Sequence, residues 1–313
     1  MFETVETPQA EKFALRRIRT VPETVNMTFD FVRAHFGLIS RSLLWIAFPP
    51  VLIALLLFYK YFVDSFLTFG AVDYTGSYIA STFLTTLAGF ALMMVASTML
   101  IGVVHSLVAL YMERGAEDFH STTVRDVWEK TKGEFMRLLG TNISLGIIGT
   151  VLIIPMVFFP PALFAFPALF VFGALYYPIR IYERRGIIRS FTLSADLVMG
   201  KWWATVGLFI LHYLLSTLLS SLLLAPVIVA AILEAVGWIS FSELTDSYPW
   251  IPYVGGGAMT LYYGLLFLLY MIPLLSLILH YFSQRERKSG VGLLADLEKI
   301  GSEWEPRSPT PEP

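Results

Sequence analysis

Four polar residues stand out in a chain short of reactive side chains: His105, His212, Ser216 and Ser220. The last three follow at four-residue spacing, which places them on one face of a helix. Thr98, Gly102 and Ser106 make a similar line beside His105, and His280 lies near the end of the last apolar stretch. Small and hydroxyl residues at this spacing let membrane helices approach closely and hydrogen-bond to one another. Such seams can glue a bundle together, each histidine neutral and held by a protein partner. They can instead line a path for a polar solute. A metal site is a third option, disfavoured because no two histidines are close in sequence and no carboxylate stands at ligand spacing. Catalysis has less to draw on. The sequence holds no His-Glu-x-x-His, Walker loop, Gly-x-Ser-x-Gly or paired intramembrane aspartate. With zero Cys there are no disulfides, thiolate metal sites or Cys nucleophiles. The expectation is a protein with no catalytic residues, no metal and no cofactor.

The elements that must position these residues are membrane helices. Hydrophobic residues make up 56% of the 313 and charged residues only 15%, where about 25% charged is usual for a soluble domain. Too few polar side chains remain to cover a soluble globule of this size. A net charge of −2 argues against a nucleic-acid partner. Five long runs lack charge: Ser42–Tyr59, Tyr74–Met112, Leu138–Ile179, Trp202–Leu233 and Ser247–Gln284. A spanning helix needs roughly 20 apolar residues. The first run gives one span reaching about Val63. The second gives a span over Gly89–Met112, with an interfacial lead-in over Tyr78–Ala88. Phe158-Phe159-Pro160-Pro161 divides the third into two spans. The fourth gives Trp203–Leu224, followed by a surface lip over Ala225–Trp238. The fifth gives Met259–Phe282, after a turn-rich stretch from Tyr248 to Gly257. Six spans result.

Charge supports that number. Cytoplasmic segments collect Lys and Arg. Segments 1–42, 113–137, 180–202 and 283–313 hold six, five, five and five of the 22 basic residues, leaving only Lys60 on the other side. Both termini are therefore expected in the cytoplasm, in an inner membrane. The first apolar stretch begins near residue 43, so no cleavable signal peptide is expected.

The same segments resemble one another. Tyr111-Met-Glu113-Arg114, Tyr182-Glu183-Arg184-Arg185 and Tyr281-Phe-Ser-Gln-Arg285-Glu286-Arg287 close the second, fourth and sixth spans, and each precedes a segment ending at Gly140, Gly200 or Gly301. Leu193-Ser-Ala195-Asp196-Leu197 matches Leu294-Ala295-Asp296-Leu297. Val25, Phe29, Val32, Phe36 and Ile39 form an apolar stripe opposite Asn26, Asp30 and Arg33. Val124, Trp128, Phe135 and Leu138 do so opposite five charges, and Ile187, Phe191, Ser194 and Leu197 follow suit. An apolar stripe with a charged far face suits a helix lying on a membrane. The expected fold is thus an all-α integral membrane protein: six transmembrane helices in three parallel repeats, each led by an amphipathic cytoplasmic surface helix. A fourth surface helix is expected near 291–300. The division is a polar N-terminal tail over 1–21, a membrane domain over 22–301 and a disordered Pro-rich tail over 302–313.

Thr28-Phe29-Asp30-Phe31-Val32-Arg33-Ala34-His35-Phe36 before an aromatic span with Pro49-Pro50, and Ser190-Phe191 to Gly200-Lys201-Trp202-Trp203 after the fourth span, carry a resemblance. They resemble a group of bacterial six-span membrane proteins of unknown function. That group is similar to the membrane domain attached to some glycerophosphodiester phosphodiesterases. The resemblance covers most of 22–301 and implies an architecture. The phosphodiesterase barrel has no room in this chain, so no such activity is implied. The leading functional expectation is a non-catalytic scaffold or accessory subunit in the lipid bilayer, presenting its cytoplasmic helices to a membrane or cytoplasmic protein partner. The alternative is a small-solute transporter or lipid-handling protein. The two differ in whether the polar seams pack dry or face a cavity.

Overall fold

The computed structural model describes Phe13 and residues 15–67, 76–158, 171, 173–238 and 240–290. Every regular element among them is helical. Most of the fourth expected span, the Phe159-Pro160-Pro161 break, the expected surface helix at 291–300 and the C-terminal tail lie outside the described residues.

Helix α1 (Val21–Ala34) begins at a reciprocal cap. The Thr20 hydroxyl accepts from the Glu23 amide at 3.5 Å, and the Glu23 carboxylate accepts from the Thr20 amide at 2.7 Å. Two N–H groups that a helix start leaves orphaned are thereby satisfied. The buried stripe of α1 is Thr24, Met27, Thr28 and Phe31. It is rotated from the expected stripe, because packing against protein takes the small threonines inside. Phe36, expected on the apolar stripe, is 64% exposed. Phe13 and Leu15, in the stretch read as a polar tail, are buried in the core.

His35 separates α1 from α2 (Phe36–Ser42), which runs through a π-turn at Leu43–Ala47 into α3 (Phe48–Leu67). Pro49 and Pro50 explain the turn. They lack N–H groups and their rings crowd the carbonyls four residues back, so the preceding turn widens. Helix α4 (Gly76–Asp118) runs 43 residues, interrupted at Gly115, whose φ of 76° opens its last turn. The expected interfacial lead-in is thus continuous with the span: nothing between Tyr78 and Gly89 stops a helix. Helix α5 (Val124–Phe158) likewise joins the second expected surface helix to the third expected span. Then come α6 (Tyr176–Tyr182), α7 (Ile187–Met199), α8 (Trp202–Ser221), α9 (Ala225–Ala235) and α10 (Phe241–Ser247). The last are α11 (Ile251–Leu269) and α12 (Met271–Ser289).

Among the described residues, three helical stretches are long and apolar enough to cross a membrane: Phe36–Lys60, Phe83–Ser121 and Ile251–Ser289. The pair Ile187–Met199 and Trp202–Leu218, bent by 99°, makes a fourth if taken as one span.

The expected turn around Gly255-Gly256-Gly257 is helical instead, and packing accounts for the glycines. A Cβ on Gly256 would stand 2.6 Å from Val63 Cγ2 and 3.2 Å from the Val63 amide nitrogen. One on Gly264, two turns later, would meet Leu55 at 2.9 Å. Helix α11 therefore approaches α3 along a line of missing side chains, as small residues permit in membranes. Helix α12 occupies the middle of the bundle. Every residue from Pro273 to Gln284 is buried, and α12 packs against α1, α4, α7 and α8.

At one end the four basic segments meet. The Arg19 amide donates to Ser283 Oγ at 2.8 Å. Lys130 pairs with Glu113, Arg184 lies 3.7 Å from Glu134, and Arg285 lies 3.2 Å from Glu183. Glu183 also accepts from Arg185 at 3.1 Å and from Tyr281 Oη at 3.0 Å.

Candidate functional site

His105 sits at a partition between two chambers. Helix α4 presents Ser97, Ile101 and His105 at four-residue steps, hence on one face. Beside them Asn142 from α5, Tyr177 from α6 and Leu277 from α12 help enclose a cavity of about 460 Å³. Small-molecule sites usually occupy ~300–1,000 Å³. Among the described residues, its wall carries no Asp, Glu, Lys or Arg. On the other side of His105 lies a chamber of about 190 Å³ containing Glu113, Lys130, Glu134 and Arg184. His105 and Tyr182 both line this second chamber.

The polar end of the larger cavity is a relay of hydrogen bonds. The Asn142 amide donates to Thr98 Oγ1 at 2.7 Å and reaches Ser97 Oγ at 3.4 Å, while Tyr177 Oη donates to its carbonyl oxygen. His105 Nδ1 lies 3.3 Å from Tyr182 Oη. Its Nε2 is buried with no hydrogen-bond partner, in a side chain only 3% exposed. A buried polar atom left in this state costs about 1–3 kcal/mol.

The other expected site residues lie elsewhere. His212, Ser216 and Ser220 are all buried on α8 and line neither chamber. His212 Nδ1 lies 2.8 Å from its own helix's Leu208 carbonyl, and the ring stacks on Phe29 at 6.3 Å. Ser220 donates to the Ser216 carbonyl at 2.9 Å and the Thr217 carbonyl at 3.1 Å. These bonds stay within one helix, so what the small side chains supply between helices is space. The line beside His105 does bind helices together. Thr98 accepts from Asn142, Ser106 lies 3.0 Å from Thr131 Oγ1, and a Cβ on Gly102 would strike Thr131 at 2.7 Å. His280 meets Thr205 at 2.9 Å. The structure does not bring His105 and His212 into one site, and no metal-ligating trio converges among the described residues.

Asn142, Tyr177 and Tyr182 complete the site and escaped the sequence reading. Asn142 is the sole amide side chain in the run Leu138–Ile179, a signal that could have found it. Tyr182 stood out only as the first residue of a repeated segment, and Tyr177 offered no signal, because aromatic residues are common at membrane boundaries.

Outside the membrane the electrostatics are local. The Thr123 amide, donating at 2.8 Å, holds the Asp126 carboxyl below the usual range at the start of α5. Burial and neighbouring Arg17 bring the Arg19 guanidinium down to about 10. His35 is held down to about 4, chiefly by burial and secondly by His120.

Compared with known protein families, curated proteins and solved structures, the chain matches none.

Proposed function

We propose that this chain is a six-span, non-catalytic protein of the inner membrane, with both termini cytoplasmic, acting as a scaffold or accessory subunit through its cytoplasmic helices. The observation that carries the reading is the meeting of four separate basic segments at one end of the bundle, through Arg19–Ser283, Arg184–Glu134 and Arg285–Glu183. A common cytoplasmic side for those segments requires such convergence. The threefold repeat and the resemblance to the phosphodiesterase-associated membrane domain belong to the same proposal and bear on architecture alone. Part of this end stays available to a partner. The Arg125 and Glu129 side chains are 85% and 63% exposed, although paired with each other.

A photo-crosslinking residue in place of Arg125 or Glu129 tests the reading in intact cells. One discrete adduct, lost when the charges at both positions are reversed, is the expected result. Absence of any specific adduct at either position, with the protein folded, refutes the scaffold. The cavity beside His105 favours a second reading, the handling of a lipid or small solute.

A further inference from the structure

An apolar groove and a polar pocket adjoin at Val124, the first residue of α5, which lines both. We infer that together they bind one anionic phospholipid of the bilayer, its acyl chain in the groove and its phosphate in the pocket against Arg41. The site goes beyond the scaffold reading and shares with it only the placing of the basic segments at the membrane surface.

The groove, of about 680 Å³, takes its wall from Trp45 and Pro49, from Val95 and Met99 of α4, and from Trp128 of α5. Among the described residues Arg125 is its one ionic side chain, and it is paired with Glu129 at 3.0 Å. The π-turn lies on this wall, where Trp45 is 76% exposed. Indole rings settle at head-group level in a bilayer, so Trp45 and Trp128 put the mouth of the groove where an acyl chain begins.

The pocket, of about 440 Å³, is built wholly from the first two basic segments, at 34–41 and 119–124. Among the described residues no Asp or Glu lines it. Its polar side chains can be counted. Thr122 Oγ1 accepts from Arg114, Thr123 Oγ1 donates to Asp126, and His35 is buried between Phe31 and Phe119. Arg41 and His120 remain, both exposed. No ion pair engages Arg41 among the described residues. Groove and pocket together thus carry one uncompensated positive charge, which matches a phosphodiester. Guanidinium groups hold phosphate oxygens through paired, charge-assisted hydrogen bonds, and basic pockets on the cytoplasmic side attract anionic lipid heads. A zwitterionic head would bring a cation that no lining carboxylate receives. The spacing suits a single molecule. Arg41 lines the pocket, while Trp45 and Pro49, at successive four-residue steps, line the groove. Eight residues of helix advance about 12 Å, in the direction from head to chain.

The test uses the full chain in mild detergent, with dioctanoyl phosphatidylglycerol, dioctanoyl phosphatidylcholine and glycerol 3-phosphate as separate probes. The anionic lipid is expected to raise the melting temperature saturably. The zwitterionic lipid should bind more weakly, and glycerol 3-phosphate, lacking a chain for the groove, should leave the melt unchanged. Arg41→Gln should weaken the anionic lipid about fivefold, which corresponds to the ~1 kcal/mol of one basic residue near an anionic surface. Val95→Trp should weaken both lipids by filling the groove. Arg33→Gln, an exposed change that lines neither cavity, should bind as wild type does and controls for net charge. If Val95→Trp fails to fold, Arg41→Gln reads the site by itself. The inference is overturned if the anionic lipid gives no saturable shift, or if either other probe matches it. It is equally overturned if folded Arg41→Gln or Val95→Trp binds as wild type does, or if Arg33→Gln weakens binding as much as Arg41→Gln. Crosslinking at Arg125 and Glu129 reads a protein partner instead, so the two readings fall separately.

Discussion

His35 offers a perturbation whose size can be worked in advance. Its ring is enclosed by Phe31 at 4.8 Å, Phe119 at 4.7 Å and Tyr111 at 5.9 Å, with His120 at 5.8 Å. Its Nε2 has no partner, so protonation would bury a charge with nothing to pair it. The folded protein accordingly favours the neutral ring, moving its titration from 6.5 to about 4. A depressed folded value means stability is fully present above the unfolded value and is lost as pH falls through the folded one. At 1.36 kcal/mol per unit, about 1.3 kcal/mol is lost between pH 7.5 and 5.5, and about 2.5 kcal/mol by pH 4.5. His35→Phe keeps an aromatic ring in the cage and cannot titrate. At pH 7.5 the variant should melt within about 1.5 kcal/mol of wild type, the usual limit for a volume-conserving swap. The assay is the difference between the two proteins' unfolding free energies in detergent at pH 7.5, 5.5 and 4.5. Titrating groups that do not interact with His35 are common to both and cancel, so the difference reports His35 together with its coupling to His120. The variant's advantage should grow by the amounts above as pH falls. Parallel curves across the three pH values would refute a buried neutral His35.

The remaining predictions concern packing and sidedness. Gly256→Leu should cost about 1–3 kcal/mol by overpacking α11 against the Val63 backbone, whereas Gly257→Ala, with nothing within 4 Å of its new Cβ, should be neutral or stabilising; melting of the pair checks both. Ser216→Ala should shift stability by no more than about 0.5 kcal/mol, while Ser220→Leu, at a position 0% exposed, should destabilise the bundle; equal melts for the two would show that α8 has room there. Single cysteines at Ser247 should react with an impermeant thiol reagent in intact cells, and ones at Ser121 and Ser289 should not. Labelling at Ser121 from outside would end the six-span topology.

Helix position was legible at Trp202–Ser221, where Lys201 bounds the apolar run and a span was expected from Trp203. Where the boundary rested on glycine, the reading failed. Gly255-Gly256-Gly257 looks like a turn in one dimension, and only the presence of Val63 opposite Gly256 shows why a helix tolerates it. Surface helix and span could not be told apart along α5, because Gly133 and Gly140 both lie inside continuous helix. At the site, His105 was recognisable as a rare polar residue in an apolar run. Its separation from His212 was not, since which face a helix turns toward which neighbour depends on contacts far apart in sequence. The serines of α8 satisfied the spacing for an interhelical seam, yet they bond their own backbone.

The central position of α12 bears on how the protein is made. A ribosome releases α12 after every other described helix, yet α12 fills the axis around which α1, α4, α7 and α8 are arranged. Until it emerges, α4 and α8 face an unfilled groove. Thr205 then keeps only the Lys201 carbonyl of its own helix and lacks His280, and the Arg19 amide lacks Ser283. Assembly must therefore wait for α12, and translation arrested before Met271 should leave loosely associated helices exposed to quality-control proteases.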